Sequence, residues 1–476
     1  MKLSKLLFAL VSAAAFLRLN AAELEVASLA ELARVAALDN QEVKLRPGTY
    51  RMADYLTGDV LKEIRAGVDR KQSRPPVPMF VFRGSGNRFD LRDVVLEIDT
   101  SLYRLLPQGG YTRCLIVAGH GNRFDGLTIC NTGAANQGSG GNILSVAGDG
   151  NTLENFTLRV HGSYPYGYGD LFGKGGPNLL PLQKQSGIQV LGTGTTLRRC
   201  KVFSRALGHC FYIQAGNNIL IEDCYAEGVM RSTTDMLRET SGPAFDLSFR
   251  SVYQNRDGRY VITPGYTKSL CEDGFRTYGD AGSVTLTNCT AVNTRAGFEI
   301  GAKDDAAVKT VVENCVALGC ERGFLIGSQT IVRRSRGDMT YGPLLYLRGG
   351  RDSEVELELV GDGPQSLVHD VATIAGENHQ VHLVAQLGER AIPTLPILFG
   401  FGMPEHAEMS SPANPAPTKR IVLINEISAA TVVVSDTVTD SKIETKGLTL
   451  KDANLRASPG AWGLPANGIA RGGAGK

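Results

Sequence analysis

The sequence predicts an all-β fold, a right-handed parallel β-helix whose solenoid carries an N-terminal capping helix and two long loop insertions. Three observations predict it. A short strand motif that ends in glycine recurs along the chain, a second strand follows each clear copy, and helical periodicity is scarce. The 56 glycines among 476 residues are typical of many short strands joined by tight turns.

The repeated strand motif sets the architecture, because each copy is one supersecondary unit that can stack on the next. Its clearest copies are GIQVLG (187–192), CFYIQAG (210–216), GFRTYG (274–279), GFEIG (297–301) and GFLIG (323–327). The apolar anchors Ile188 and Phe211 stand 23 residues apart, as do Phe275 and Phe298. These steps predict single coils of a solenoid, and the longer step between Phe211 and Phe275 indicates an insertion.

A column of cysteines follows the second strand of each coil. The equivalent positions carry Cys200, Cys224, Cys289 and Cys315, with Phe156 before them and Ser335 after them. Identical side chains stacked at one strand spacing, ~4.8 Å, are a product of parallel coils. A single-file column does not converge on one point as metal ligands must, so these thiols are predicted to fill the core. Nine cysteines is an odd number, so at least one thiol stays unpaired.

The two ends of the repeat region differ in sequence character. Residues 28–40 read as a short amphipathic helix, which would cover the open core at the first coil. From KLRPGTY (44–50) to roughly residue 390, the arrangement resembles the pectate-lyase-like superfamily of right-handed parallel β-helices. The chain lacks the paired aspartates and the GHG…RIK pattern of polygalacturonases. It also lacks the WIDH and RxPxxR motifs of pectate and pectin lyases, so the resemblance implies the fold and no specific catalytic family.

The first residues read as an export signal. Lys2 and Lys5 precede an apolar run from Leu6 to Leu17, which is short for a membrane span. We therefore expect a signal peptide at 1–22, the β-helix domain with its cap at 23–409, and a linker, final strands and tail at 410–476. A secreted or periplasmic location follows, without a membrane span after signal removal; a retained anchor is the alternative. The mixed charges, with a net +2, argue against a nucleic-acid partner.

Strand alternation predicts which side chains leave the solenoid surface. If the phenylalanines point inward, the next residue of each strand points outward. The first outward row is then Gln189, Tyr212, Arg276, Glu299 and Leu325, and the second is Leu191, Gln214, Tyr278 and Gly301. Aromatic rings, amides and charged groups on neighbouring coils suit a carbohydrate partner. The alternative is that Arg276 and Glu299 form an ion pair on a solvated face, which would contribute little.

Two insertions leave the solenoid beside these rows and carry acid–base candidates. They span 163–185, which contains three alternate tyrosines, and 229–271. Loops on one face of a repeat scaffold commonly form the binding surface. The predicted catalytic residues are Tyr212, Arg276, Glu299, His209, Asp273, Asp235 and Glu239. The predicted substrate-binding residues are Gln189, Gln214, Tyr278, Lys303, Arg231, Tyr166 and Tyr168.

Three functions fit these residues. The first is eliminative cleavage of a uronate-containing glycan, in which Arg276, Lys303 or Arg231 neutralises the carboxylate and Tyr212 or His209 transfers the proton. The second is glycoside hydrolysis by a pair of aspartate or glutamate side chains in the same groove. The third is a non-catalytic carbohydrate-binding or structural solenoid. The cations of the outward row favour the lyase. No cofactor is predicted, with calcium at Asp304 and Asp305 as an alternative.

Overall fold

The computed structural model describes residues 23–133, 140–386, 395–403 and 408–451. The chain winds as a solenoid in which the strands of successive coils pair in parallel and form three long ladders. The front ladder belongs to a 15-stranded sheet, and the second and third ladders share a 22-stranded sheet. The predicted all-β parallel β-helix is confirmed, including its N-terminal helix and its two insertions.

Most coils contribute one strand to each ladder. The front ladder contains Pro76–Phe82, Tyr111–Val117, Gly141–Val146, Gln185–Val190, Phe211–Ile213, Phe275–Thr277, Ala296–Ile300, Arg322–Ile326, Leu345–Arg351, Ala372–Glu377, Pro396–Phe399, Thr431–Val434 and Thr449–Lys451, with the short strands Thr418–Lys419 and Val438–Thr439 beside it. The second ladder contains Leu24–Val26, Glu42–Leu45, Arg88–Asp90, Arg123–Asp125, Thr152–Glu154, Thr196–Arg198, Ile219–Glu222, Val284–Thr287, Thr310–Glu313, Thr330–Gly337, Glu354–Leu359, Gln380–Ala385, Val422–Asn425 and Lys442–Thr445. The third ladder contains Gly48–Arg51, Val94–Asp99, Thr128–Thr132, Thr157–Val160, Lys201–Ser204, Tyr225–Glu227, Thr290–Val292 and Val316–Leu318, and Thr330–Gly337 also pairs with its last strand. Two antiparallel pairs, Met230–Ser232 with Thr267–Ser269 and Phe401–Gly402 with Asn414–Pro415, lie outside the ladders.

The helices are short and lie at the N-terminal end or in the second insertion. They are α1 (Leu29–Val35), α2 (Met52–Tyr55), α3 (Gly58–Gly67), α4 (Thr233–Met236) and α5 (Pro243–Asp246), with a 3₁₀ helix at Thr100–Leu105. α1 starts at Ser28, whose hydroxyl accepts a hydrogen bond from the Glu31 amide at 3.1 Å, as an N-cap residue does. It buries Leu29 and Leu32 in the core cluster of the first coils, as a solenoid cap requires.

The inside of the front ladder is a stack of phenylalanine rings. Phe211, Phe275, Phe298 and Phe324 lie on successive coils, with ring centroids 4.9, 5.0 and 5.1 Å apart and planes within 9° of parallel. The ring spacing is close to the distance between paired strands, so each ring covers the one on the coil below. The stack confirms that the strand motif places its phenylalanine inward.

The cysteine column is present on the opposite wall of the core. Cys200, Cys224, Cys289 and Cys315 stand immediately before paired strands of the third ladder, and all four are buried. All nine cysteines of the chain are free thiols. The prediction that the column fills the core is confirmed.

A left-handed residue makes the bend between the second and third ladders in most coils. Asn288 and Asn314 have φ of 54° and 52°, a region that the short polar side chain of asparagine tolerates better than most residues. Their amides also connect the coils, since Asn314 Nδ2 donates to Asn288 Oδ1 at 2.6 Å and Asn288 Nδ2 donates to Asp223 Oδ1 at 3.0 Å. The bend and the coil-to-coil contact thus come from the same side chains.

The two insertions fold together into one lobe, residues 161–184 and 228–270, beside the front ladder. The lobe has its own apolar core, which contains Tyr168, Leu171, Phe172, Met236, Ala244 and Ile262. Its base is the antiparallel pair of strands Met230–Ser232 and Thr267–Ser269. Because the lobe joins the solenoid directly before the strands that begin at Gln185 and Phe275, it stands beside the outward rows of those coils.

A buried tyrosine–histidine pair connects the lobe to a later coil. The Tyr266 hydroxyl lies 2.7 Å from His369 Nε2. Burial, together with the charge of Arg256, lowers the pKa of His369 from the usual 6.5 to about 3. The folded protein therefore holds His369 neutral at a pH where the unfolded chain takes up a proton.

This pair predicts that the protein loses stability as the pH falls from 7 to 5. In that range the unfolded chain binds more protons than the folded chain, so the free energy of unfolding decreases as the pH falls through 6.5. Calorimetric melting temperatures at pH 7, 6 and 5 would measure the decrease. His369→Gln, which cannot titrate, should show a smaller decrease, whereas His120→Gln on the exposed surface should follow the unmodified protein. An equal decrease in both variants would contradict the prediction.

Candidate active site

The outward row inferred from strand alternation exists on the front ladder. Gln189 pairs with Tyr212, Tyr212 with Arg276, and Arg276 with Glu299 in the parallel register. Leu325 and Tyr346 extend the row over the next two coils. The row is largely buried beside the lobe, with Gln189 only 3% and Tyr212 6% exposed. These polar groups therefore lie in a recess rather than on an open face.

The centre of the recess is a histidine between a tyrosine and two carboxylates. His209 Nε2 lies 2.8 Å from the Tyr278 hydroxyl, and His209 Nδ1 lies 3.1 Å from Asp273 Oδ2. Glu272 Oε2 is 3.4 Å from Nε2. The carboxylate beside Nδ1 favours the tautomer with a proton on Nδ1, which leaves Nε2 to accept the phenolic hydrogen. Both carboxylates would stabilise a positive charge that develops on the imidazole ring.

The local sequence explains why these side chains meet. His209 stands two residues before the front strand Phe211–Ile213, and Asp273 stands two residues before the paired strand Phe275–Thr277. The pairing therefore puts both at the entrance to the same ladder. Tyr278 follows the second of these strands, and the His209 and Tyr278 rings are 5.8 Å apart in an edge-to-face arrangement.

Arg276 lies against this pair and binds two carboxylates through Nη1. Its Nη1 donates to Asp273 Oδ2 at 2.9 Å and to Glu299 Oε2 at 2.7 Å, and its guanidinium lies 4.5 Å from the centroid of the Tyr278 ring. In the described part of the chain, Nε has no hydrogen-bond partner. A guanidinium binds carboxylates through hydrogen bonds and charge, so Arg276 is a candidate to bind a carboxylate ligand next to the Tyr278 ring.

Uncharged polar groups continue the recess toward the N-terminal coils. Gln189 Nε2 donates to Gln214 Oε1 at 2.6 Å, and Gln189 Oε1 accepts from Ser145 Oγ at 2.8 Å and Asn142 Nδ2 at 2.9 Å. Tyr212 lies next to this network, with its ring 5.3 Å from that of His209. Burial raises the pKa of Tyr212 well above its usual value, so its hydroxyl stays protonated. Amides and hydroxyls in this order are the groups that bind sugar hydroxyls.

A buried ion cluster fastens the lobe beneath the recess. Lys268 Nζ lies 2.9 Å from Asp170 Oδ1 and 2.7 Å from Glu321 Oε2, and only 1% of the lysine side chain is exposed. Arg295 connects this cluster to the active-site carboxylates, with Nη1 3.2 Å from Asp170 Oδ2 and Nη2 2.9 Å from Asp273 Oδ1. Both insertions and the coils beneath them thus share one set of compensated charges.

The cluster keeps the carboxylates of the recess ionised. Burial alone would favour the neutral acid, yet the charge of Arg295 and the contact with His209 hold the pKa of Asp273 well below its usual range. Burial also opposes the charge of Glu272, but nearby cations, chiefly Lys184, lower its pKa to about 2. Lys184 Nζ lies 2.7 Å from Glu272 Oε1. Neither carboxyl group is a proton donor near neutral pH.

The structure brings eight of the predicted site residues together and places the other six elsewhere. The recess contains Tyr212, Arg276, Glu299, His209, Asp273, Gln189, Gln214 and Tyr278. Inside the lobe, the Tyr168 hydroxyl donates to Glu239 Oε2 at 2.7 Å, and Arg231 pairs with the same carboxylate. These three side chains hold the lobe together and do not reach the recess.

The remaining three predicted residues lie on the surface. Asp235 pairs with Arg238 at 3.0 Å, and both side chains are well exposed. Lys303 lies 3.7 Å from Asp280, also in solvent. Tyr166 packs near His161, with ring centroids 5.5 Å apart. Sequence alone placed them in the site because insertions commonly contribute to binding, but their own contacts keep them outside it.

Sequence reasoning missed residues that the structure adds to the recess. Arg113 and Asn142 stand on the two front strands before Gln185–Val190. Arg348 reaches Glu299 Oε1 at 3.0 Å from the second outward row. Extending that row would have found Arg348, whereas Arg113 and Asn142 lie where strict alternation predicts an inward side chain.

Within the described ranges, no group of three or more histidine, cysteine, aspartate or glutamate side chains is arranged to hold a metal ion. Asp304 Oδ1 instead accepts a hydrogen bond from the Ser328 hydroxyl. In the same ranges, no helix is long and apolar enough to cross a membrane.

Comparison with known proteins gives only structural likenesses. The chain is similar to a rhamnogalacturonan lyase (13% identity, TM-score 0.39, covering 74% of this chain and 76% of that chain). It is also similar to a PL6 alginate lyase in complex with a trisaccharide (11%, 0.46, 91% and 87%). A third is the catalytic domain of a GH87 alpha-1,3-glucanase in complex with nigerose (9%, 0.41, 90% and 67%). No family model matches, and no curated protein matches either. The chain has the parallel β-helix architecture.

Proposed function

We propose that the protein is an exported enzyme that cleaves a uronate-containing glycan by β-elimination in the recess of the front ladder. The observation that carries this proposal is the position of Tyr278. Its hydroxyl lies 2.8 Å from His209 Nε2, and its ring centroid lies 4.5 Å from the Arg276 guanidinium. A proton acceptor and a carboxylate-binding cation thus lie side by side. Elimination next to a carboxylate needs these two groups together.

Four residues of the recess carry the steps of the elimination. Arg276 binds the uronate carboxylate and stabilises the negative charge that develops there. Tyr278 takes the proton from the ring carbon next to the carboxylate while its own hydroxyl proton passes to His209 Nε2. The electron pair of that C–H bond forms the new C=C bond, and the bond from the neighbouring carbon to the glycosidic oxygen breaks. Tyr212, which burial keeps protonated, donates a proton to the leaving oxygen.

Asp273 and Glu299 act as positioning residues in this scheme. Asp273 lies against His209 Nδ1 and Arg276 Nη1 together, so it fixes the imidazole and the guanidinium relative to each other. Glu299 holds Arg276 from the next coil. Hydrolysis would instead need a protonated carboxyl group, and Asp273 and Glu272 are both held ionised. This difference favours the lyase over the hydrolase.

Digestion of a glycan panel tests the proposal. The panel contains polygalacturonate, alginate, rhamnogalacturonan and glucuronoxylan, with an α-1,3-glucan and a β-1,4-glucan as neutral controls. We expect products from at least one uronate-containing glycan to absorb in the ultraviolet as a conjugated double bond and to lack the mass of an added water. Products with new reducing ends, added water and no double bond would show a hydrolase. Binding without any cleavage would show a non-catalytic solenoid.

A further inference from the structure

Arg113 is a half-buried cation without a counterion. It lies on the front strand Tyr111–Val117 and faces Asn142 and then Ser186 in the parallel register. Among the residues that the structure describes, no carboxylate lies within 4.0 Å of its guanidinium, and its buried Nε has no hydrogen-bond partner. Arg276, Arg295 and Arg348, which also lie around the recess, are each bound to a carboxylate. Burial without compensation is costly for a charge, so the exception needs an explanation.

The surroundings of Arg113 form a built recess. Asn142 is fully buried, and its Oδ1 has no partner in the described ranges, although its Nδ2 holds Gln189. The phenols of Tyr111 and Tyr212 are near enough to interact electrostatically with the Arg113 guanidinium. Burial lowers the pKa of Arg113 from its usual value. A cation without a counterion and an amide oxygen without a partner therefore lie at paired positions of adjacent coils.

The place of this recess relative to Tyr278 follows from the ladder. The front strands run in the order Tyr111–Val117, Gly141–Val146, Gln185–Val190, Phe211–Ile213 and Phe275–Thr277. Arg113 therefore starts four coils before Tyr278, at ~4.8 Å per coil, and its long side chain extends toward Tyr212. Gln189 and Gln214 lie between the two positions. A glycan that runs along the ladder would cross these amides and reach Arg113 a few sugars away from the bond that is cleaved.

We propose that Arg113, Asn142 and Tyr111 form a second anionic subsite, which binds the carboxylate of a sugar several residues away from the scissile bond. This inference rests on the proposed function and makes it narrower. The substrate would carry uronate on more than one sugar within a short stretch, as a polyuronate does, instead of one isolated uronate.

Calorimetric binding and kinetics of the full chain test the subsite. The probes are a hexameric and a dimeric oligouronate, cellohexaose, and a sulfated hexasaccharide without uronate. Arg113→Gln should weaken hexauronate binding roughly 10- to 100-fold, as expected for a lost hydrogen bond to a charged group, and should leave cellohexaose unaffected. The dimer, bound at Tyr278, is too short to reach Arg113 and should also be unaffected. KM for the polymer should rise while kcat stays within a few-fold, because the lost contact is made equally before and during the reaction.

Two controls separate this proposal from the proposed function. Arg88→Gln, on the second ladder, should bind every probe as the unmodified protein does, and Arg113→Lys should restore part of the affinity. If Arg113→Gln binds the hexauronate normally, the subsite is wrong, even if elimination is observed. If the hexauronate binds through Arg113 but no uronate-containing glycan is cleaved, the anionic subsite stands and the lyase proposal fails. If Arg113→Gln leaves the affinity for every charged probe unchanged, the subsite is wrong, whatever reaction the protein catalyses.

Discussion

Replacing Tyr278 by phenylalanine is expected to lower kcat by about 10²- to 10⁴-fold, the usual contribution of general acid–base catalysis. The variant keeps the ring on which the Arg276 guanidinium lies, so substrate binding should change little. Only the hydroxyl that contacts His209 Nε2 is lost. Steady-state kinetics on the cleaved glycan would measure kcat, and the melting temperature would confirm that the variant is folded. Tyr260→Phe, in an exposed part of the lobe, is the matched control.

The His209 variant distinguishes a relay from simple packing. His209→Gln should lose nearly as much activity as Tyr278→Phe, and the double variant should be no worse than either, because the two groups act as one unit. The single His209→Gln variant should regain activity as the pH rises, since hydroxide can then remove the phenolic proton that the histidine no longer accepts. Additive losses, or full activity in Tyr278→Phe, would show that the pair does not carry the proton.

Removing the charge of Lys268 should cause the largest loss of stability. Lys268→Met would leave Asp170 and Glu321 buried without the cation that lies within 2.9 Å of each. Breaking a buried ion pair by removing one partner costs about 3–5 kcal/mol, and here Glu321 loses its lysine partner while Asp170 keeps Arg295. Urea unfolding followed by circular dichroism would measure the change in the free energy of unfolding. We expect the lobe to separate from the coils first, since Lys268 joins the two.

Two further variants make the result specific. Lys303→Met removes an exposed lysine and should change the free energy of unfolding by less than about 0.5 kcal/mol. Lys268→Met combined with Glu321→Gln removes a buried charge of each sign and should recover part of the lost stability. A loss below about 1 kcal/mol for Lys268→Met would mean that the cluster contributes no more than an exposed ion pair.

The fold was predictable because each coil repeats the same strand motif. The Phe–Gly motif specifies the inward ring, and alternation then specifies the outward residue, so Gln189, Tyr212, Arg276 and Glu299 could be aligned without coordinates. The cysteine column followed from the same register. Local periodicity is enough for these features because every coil meets only its neighbours.

The chemistry within the site was less predictable, because it depends on contacts between segments that the register does not connect. His209 and Tyr278 could both be named, but they are 69 residues apart, with a whole insertion between them. A lysine in a loop reads as solvent-exposed, and nothing in the sequence around Lys268 indicates that Asp170 and Glu321 enclose it. The same limit explains Asp235 and Glu239, whose partners Arg238 and Arg231 hold them within the lobe.

The burial of the thiols affects how readily oxidants can attack them. All cysteines except Cys130 are buried, and burial raises the pKa of Cys114 and Cys320 to about 12. The thiolate that oxidants and disulfide catalysts attack is therefore scarce at these two positions in the folded chain. In an unfolded chain all nine sulfurs would be exposed, and any cross-link between coils formed at that stage would block the stack. Closing the coils thus protects sulfurs that no disulfide protects.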